Sequence, residues 1–245
     1  MLFRLLLLVA AVDQEPGFSI RGEGEYWYAT PTGQLMITLG SRPGSGNIGR
    51  VGEDFGLKST GIAGAEAGAS WGDHRVRLSY LDLRFRGEDE LDDTLIFHGT
   101  TYPQGEKVTS RIDFPRLSFG YDYDVWNTTW TKTWVGLVGH VYWFSARLTG
   151  DTQDEVRSYS RGGAALTTSI EAFPGPVRVA ADGSLGYSTS SHQLFGGVRL
   201  TAEIGAWGRL ALGLGYRWER MDASGGTNVA ALTLHGPTAF VTLRF

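Results

Sequence analysis

From Leu117 to Val125 every second residue is apolar: Leu117, Phe119, Tyr121, Tyr123 and Val125 alternate with Ser118, Gly120, Asp122 and Asp124. Successive side chains of a strand point to opposite faces, so a period of two describes a strand with one greasy face and one small or charged face. The pattern recurs at Val135, Leu137, Gly139, Val141, Trp143, then at Leu194, Gly196, Val198, Leu200, Ala202, Ile204, and again at Leu210, Leu212, Leu214, Tyr216, Trp218. Helical periodicity fits none of these runs. Weaker strands are expected over 18–28, 61–70, 76–85, 163–172, 177–187 and about 229–245, which brings the total to ten.

In two places the apolar face changes phase. Val76, Leu78 and Tyr80 give way to Leu81, Leu83 and Phe85, and Leu232 and Leu234 give way to Ala239 and Val241. A β-bulge is the expected repair at each, with His235-Gly236-Pro237 a natural site because proline cannot donate to a ladder.

No stretch of the 245 residues approaches the roughly 18 to 20 consecutive apolar residues of a transmembrane helix. Strands are the remaining way to span a membrane, and in hydrocarbon every backbone amide must be paired within the protein, which requires closure. The fold expected is all-β, a closed antiparallel transmembrane β-barrel of ten strands, with eight or twelve as alternatives. Segments 34–39 and 95–97 either extend loop hairpins or become spanning strands that raise the count by two. Arg4 followed by an apolar run with small residues at Val9 and Ala11 reads as a secretory signal peptide over 1–11, leaving 12–245 as one barrel domain.

Connection lengths sort by side. Those over about 29–60, 86–109, 149–158, 188–191 and 222–228 are mostly long, whereas 71–74, 126–131, 174–176 and 206–208 are tight turns. Long loops on one side, short turns on the other and an even strand count match bacterial outer-membrane barrels. Trp71, Trp126, Trp130 and Trp207 fall at the short turns, joined by Phe173, with Phe18 and Phe245 at the terminal strand ends. Tyr28, Phe85, Trp143, Tyr187 and Trp218 lie near the long loops. Two aromatic girdles at two membrane interfaces would produce this sorting.

Three segments, His74-Arg75-Val76-Arg77-Leu78-Ser79-Tyr80, Ile96 through Gly105 and Leu117-Ser118-Phe119-Gly120-Tyr121-Asp122-Tyr123, are similar to segments of small Gram-negative, proteobacterial outer-membrane β-barrel proteins. The ending in Phe245, behind Ala239, Val241 and Leu243, resembles the terminal strand of that family, whose assembly machinery reads the last aromatic. The resemblance implies a fold and an outer-membrane location, with lipid and lipopolysaccharide around the barrel. It brings no catalytic residues.

Alternation assigns a lumen charge network to Arg21, Glu23, Glu25, Glu66, Arg77, Arg116, Asp122, Asp124, Arg178, Asp182, Arg199, Glu203, Arg217, Glu219 and Arg244. In a narrow barrel such groups pair and fill the interior, and a small-solute channel is the alternative. Gly213 and Gly215 face the same interior and leave room for a neighbour's bulk. With no cysteine there is no disulfide or thiolate chemistry, and a net charge of −4 gives no nucleic-acid footprint. Of the five histidines, His98 shares a loop with Asp92 and Asp93, and His192 follows Ser190 and Ser191; neither grouping has the strength of an acyl hydrolase or protease motif, so no enzyme is expected. The acidic run Glu88, Asp89, Glu90, Asp92, Asp93 lacks EF-hand spacing, and Gly44, Gly46, Gly49 and Gly52 lack the strand and helix of a phosphate cradle, so no metal or cofactor is expected. The expected function is a structural or interaction barrel that meets ligands or partners through its extracellular loops, with a narrow channel and then an interfacial enzyme as the alternatives.

Overall fold

The computed structural model describes residues 17–39, 44–188, 193–207, 209–222, 224 and 228–245, without the side chains of Ser188, Ala206 and Trp207. The leader expected over 1–11 and the Ser190-Ser191-His192 grouping lie outside the described residues. The strands are β1 (Phe18–Met36), β2 (Gly49–Arg50), β3 (Thr60–Trp71), β4 (His74–Leu81), β5 (Arg84–Glu90), β6 (Leu95–Phe97), β7 (Thr100–Tyr102), β8 (Lys107–Asp113), β9 (Arg116–Asn127), β10 (Thr131–Thr149), β11 (Asp154–Ala172), β12 (Val177–Ser188), β13 (Gln193–Trp207), β14 (Leu210–Asp222) and β15 (Val229–Arg244).

Ten of these, β1, β3, β4 and β9 to β15, pair antiparallel, each with two neighbours. β1 pairs with β15, and β10 with β11, so the sheet closes on itself and the strand count is ten. Segments 34–39 and 95–97 do not span. The first continues β1, and the second forms a separate hairpin, β6 with β7. The last residue is stitched to the first strand: Phe245 N donates to Ile20 O at 2.8 Å, and Ile20 N donates to Phe245 O at 2.9 Å.

The inside and outside of the wall are inverted relative to a water-soluble barrel. Outward residues around its middle are large and apolar, with Leu214 at 69% and Leu166 at 63% exposure, while Glu23, Arg116, Asp122, Glu171, Glu203 and Glu219 point inward and are buried. An apolar exterior continuous over the wall far exceeds the patches that solvated monomers expose.

Neither expected bulge exists. The pairing between β14 and β15 runs without interruption from Leu210↔Leu243 to Asp222↔Ala231, straight past His235-Gly236-Pro237. Likewise Leu81↔Arg116 in β4 and β9 continues into Arg84↔Asp113 in β5 and β8 with no residue gained or lost. What changes is the surroundings. Near the turns the apolar residues face out and the charges face in; beyond Tyr80 the same strand turns Leu81, Leu83 and Phe85 inward, and Arg84, Arg86 and Glu88 outward. β15 does the same, with Leu232 and Leu234 buried and Val241 exposed. The one shift between β9 and β10 lies elsewhere, where pairing passes from Trp126↔Thr133 to Asp124↔Trp134 and Val125 is left over.

On the long-loop side the inward apolar residues continue into a folded cap. β5 and β8 extend the β4 and β9 hairpin, β2 pairs with the end of β1, and Trp27, Leu35, Phe55, Phe85, Phe97, Tyr102, Phe114 and Phe144 share one buried cluster. Phe85, expected in the outer aromatic girdle, is instead 1% exposed inside this cluster. The β6 to β7 turn uses His98 and Gly99, both with positive φ (52° and 89°), the conformation of a two-residue hairpin whose twist suits its strands.

Candidate functional site in the barrel lumen

The lumen is built by strand parity. Odd residues of β1, β11, β13 and β14 and even residues of β9, β10 and β15 point inward, so acidic and basic side chains from adjacent strands meet across the register. Their contacts join into one alternating chain. Glu66 reaches Arg77 at 3.9 Å; Arg77 Nε and Arg75 Nε donate to Asp122 Oδ2 at 2.8 and 3.0 Å; Arg75 Nη1 donates to Glu171 Oε1 at 3.1 Å. Arg178 then bridges Glu171 at 2.8 Å and Glu203 at 3.2 Å, and Arg21 bridges Glu203 at 3.6 Å and Glu23 at 2.5 Å. Arg199 links Glu23 at 2.5 Å to Glu25 at 3.4 Å, Arg217 links Glu25 at 3.0 Å to Glu219 at 2.8 Å, and Arg116 ends the chain on Glu219. Arg244 adds a branch onto Glu203.

Charges withdrawn from water are tolerated where each finds an opposite charge and hydrogen bonds, and unbroken alternation provides both. Aromatic faces take up the rest of several guanidinium planes. Arg75 lies 4.4 Å from the Trp134 ring, Arg217 4.7 Å from Trp27 and Arg199 4.9 Å from Phe240. Phe240 has room because Gly213 faces it: a Cβ there would fall 2.1 Å from the ring. Gly215 stands likewise against Thr201 and Thr238.

Two residues assigned to the network by alternation stand outside the chain. Asp124 is buried beside the leftover Val125 and accepts a hydrogen bond from Trp126 N at 3.2 Å. Asp182 pairs across the register with Arg199 but makes no ion pair among the described residues; it lines a central cavity of about 150 Å³. Conversely, Arg75 and Glu171 are links that alternation had not supplied. Arg75 sits two residues before Arg77, and Glu171 two after Ser169, so parity extended to the strand ends carries the signal for both.

The lumen is layered. On the short-turn side a vestibule of about 350 Å³ is lined by Ile20, Lys132, Trp134, Phe173 and Arg244, with Arg21, Arg75, Arg77 and Arg178 shared between it and the central cavity. On the other side lie packed rings. Phe114 stacks on Tyr142 at 5.1 Å and meets Phe144 edge-on at 5.5 Å, and Trp27, Leu81, Met221 and Leu234 belong to the same buried cluster.

The four described histidines have other neighbours. His98 contacts Glu155 at 3.2 Å, not Asp92 or Asp93, which are exposed. His74 and His235 bond outward-facing Tyr121 and Tyr216 at 2.7 and 3.0 Å. His140 Nδ1 and Ser118 Oγ are 2.8 Å apart inside the lumen, beside the central cavity and away from either aromatic rim. Trp71, Trp126, Trp130, Tyr28, Trp143, Tyr187 and Trp218 all face outward and are exposed; the Trp207 side chain lies outside the described residues. Among the described residues no group of histidine, aspartate and glutamate has the arrangement of a metal site.

No protein-family model matches the sequence, and no curated protein does. Among solved structures the chain is similar to Ail, the attachment invasion locus protein of Yersinia pestis, at 10% identity and a TM-score of 0.38 over 94% of this chain and 100% of that one. It is similar to the transport unit of the autotransporter AIDA-I from Escherichia coli at 9% identity and a TM-score of 0.47 over 96% and 92%. Neisserial surface protein A is similar at 11% identity and a TM-score of 0.36 over 95% and 100%.

Proposed function

We propose that the chain is an integral barrel of a Gram-negative outer membrane, closed to solutes, whose folded cap meets ligands or partners outside the cell. The observation that carries this reading is an ion-paired interior backed by the packed rings of Trp27, Phe114, Tyr142 and Phe144. A conducting pore needs a continuous polar path, and a layer of close-packed side chains interrupts one. The outward apolar band supports the membrane location, because leaving residues such as Leu137 and Phe119 about 59% exposed is favourable only against lipid.

In this reading the outward Trp71, Trp126 and Trp130 sit at the periplasmic interface, and Tyr28, Trp143, Tyr187 and Trp218 at the outer one. Lipopolysaccharide surrounds the outer half, and Phe245, paired with Ile20, serves the assembly machinery as its recognition end. The His140 and Ser118 contact is a packing contact, and the protein is not an enzyme.

Reconstitution in planar bilayers tests the closed lumen. The expected result is a flat baseline at high protein load, and stable single-channel steps would overturn it. The membrane location has a separate readout, since a barrel of this kind keeps a heat-modifiable gel mobility in detergent. A water-soluble monomer formed without detergent would rule the location out.

A further inference from the structure

The β11 strand is taller than its neighbour. β10 accompanies it over its whole length, from Thr131↔Ala172 to Thr149↔Asp154, but β12 pairs with it only from Ala172↔Val179 to Ala165↔Gly186. Over 154–164, therefore, β11 has a strand partner on one side alone, and among the described residues the barrel wall carries a notch toward the long-loop side.

Arg157, Tyr159 and Arg161 line the inner face of that free stretch, half-buried. Arg157 Nε, Tyr159 Oη and Arg161 Nε are shielded from water and have no hydrogen-bond partner among the described residues. Eight other inward arginines, Arg21, Arg75, Arg77, Arg116, Arg178, Arg199, Arg217 and Arg244, each contact a carboxylate. Arg157 and Arg161 contact none among the described residues. Arg161 lies 5.3 Å from the Tyr159 ring, which stacks on Phe144 at 4.8 Å and so is held in place from below. Asp222 on β14 acts electrostatically on Tyr159, one carboxylate against two guanidiniums.

A donor withdrawn from water without an acceptor costs on the order of 1–3 kcal/mol, more when charged. Single unpartnered nitrogens also occur at Arg21, Arg116 and Arg199, but those side chains hold carboxylates, so two arginines without an anion beside an unpartnered phenol point to an acceptor that arrives from elsewhere. We propose that Arg157, Tyr159 and Arg161 bind a phosphate-bearing ligand that enters through the notch. Guanidinium and phenol donors suit phosphate oxygens, and alternate strand positions place the two arginines about 13 Å apart at their Cα atoms, within reach of one bound group or two linked ones. The side from which the ligand comes rests on the outer-membrane reading; the site itself does not.

The test is calorimetric titration of inorganic pyrophosphate into protein refolded in lipopolysaccharide-free, phosphate-free detergent, with folding checked by gel mobility. Saturable binding at one site per chain is expected. Arg157→Gln with Arg161→Gln should weaken it at least about ten-fold, and Arg147→Gln, an outward arginine on the neighbouring strand, should leave it unchanged. No saturable heat, equal binding by the double variant, or binding of an acidic peptide in place of pyrophosphate would overturn the proposal.

Protein extracted from membranes identifies the source of the phosphate. If it carries stoichiometric lipid phosphorus and no longer takes pyrophosphate, the ligand is a lipid headgroup; if it still takes pyrophosphate, the ligand is soluble. A conducting pore that still binds pyrophosphate would sink the closed lumen alone, and a flat baseline without binding would sink this site alone.

Discussion

Glu219 takes hydrogen bonds from Arg116 and, at 2.8 Å, from Arg217, and Arg116 is itself 5% exposed, so each charge in this corner of the lumen is held by its neighbour. Removing one member leaves a buried guanidinium without its anion, whereas removing both takes away the demand as well as the supply. Glu219→Gln should therefore destabilise the barrel by about 3–5 kcal/mol, and Arg116→Leu with Glu219→Leu by clearly less. Urea unfolding in lipid vesicles, followed by gel mobility, measures both; equal losses would mean that the pair acts through packing and not through charge. Glycine matters in the same interior by absence. Gly213 gives Phe240 its place beside Arg199, and any larger residue there displaces the ring that backs the guanidinium.

At the scale of the element, one strand changes which kind of residue it turns inward. β10 carries Val135, Leu137, Val141 and Trp143 outward, then Arg147, while Phe144, Ala146 and Leu148 turn inward without any change of register. The cap is accordingly a folded layer with its own core, and Tyr102, fully buried there, donates from its phenol to Leu148 O at 3.0 Å. Phe97 stands in that core, 6.5 Å from Phe55 and edge-on to it. Phe97→Ala should remove about 3–5 kcal/mol of local stability. Because the barrel ladder does not depend on this contact, hydrogen exchange should rise in 95–102 and leave β12 to β15 protected. Exchange rising equally in both would show that cap and barrel unfold as one unit.

For the whole molecule, the tryptophans divide by direction. Trp71, Trp126, Trp130, Trp143 and Trp218 face out, while Trp27 and Trp134 point into the lumen and are at most 5% exposed. Single-tryptophan variants in vesicles of bromine-labelled lipid should show strong quenching for Trp143 or Trp71 and little for Trp27, because quenching requires contact between the ring and the labelled chain. Equal quenching of all would mean that the apolar exterior does not face lipid. The folded molecule is thus a wall with an apolar outer face around paired charges, with packed rings on one side and, among the described residues, a notch where β12 stops short of β11.

Period-two patterning determined the fold class and the ten strands, because alternate side chains must choose opposite faces whatever the strand pairs with. It also placed most of the lumen charges, since parity from one inward residue carries along a strand; Arg75 escaped because its strand was begun at residue 76, while Glu171 lay within the expected 163–172 and shares the parity of Ser169. Tertiary structure decided the rest. The phase reversals at Leu81 and Leu234 read as bulges in one dimension, yet the registers are continuous, because parity reports a face while the surroundings of that face change with height along the strand. Which charges meet, which rings pack behind them, and which two inward arginines are left without an anion among the described residues depend on contacts between residues as far apart as Glu23 and Arg199. Those contacts are set by closure of the sheet, which no local pattern records.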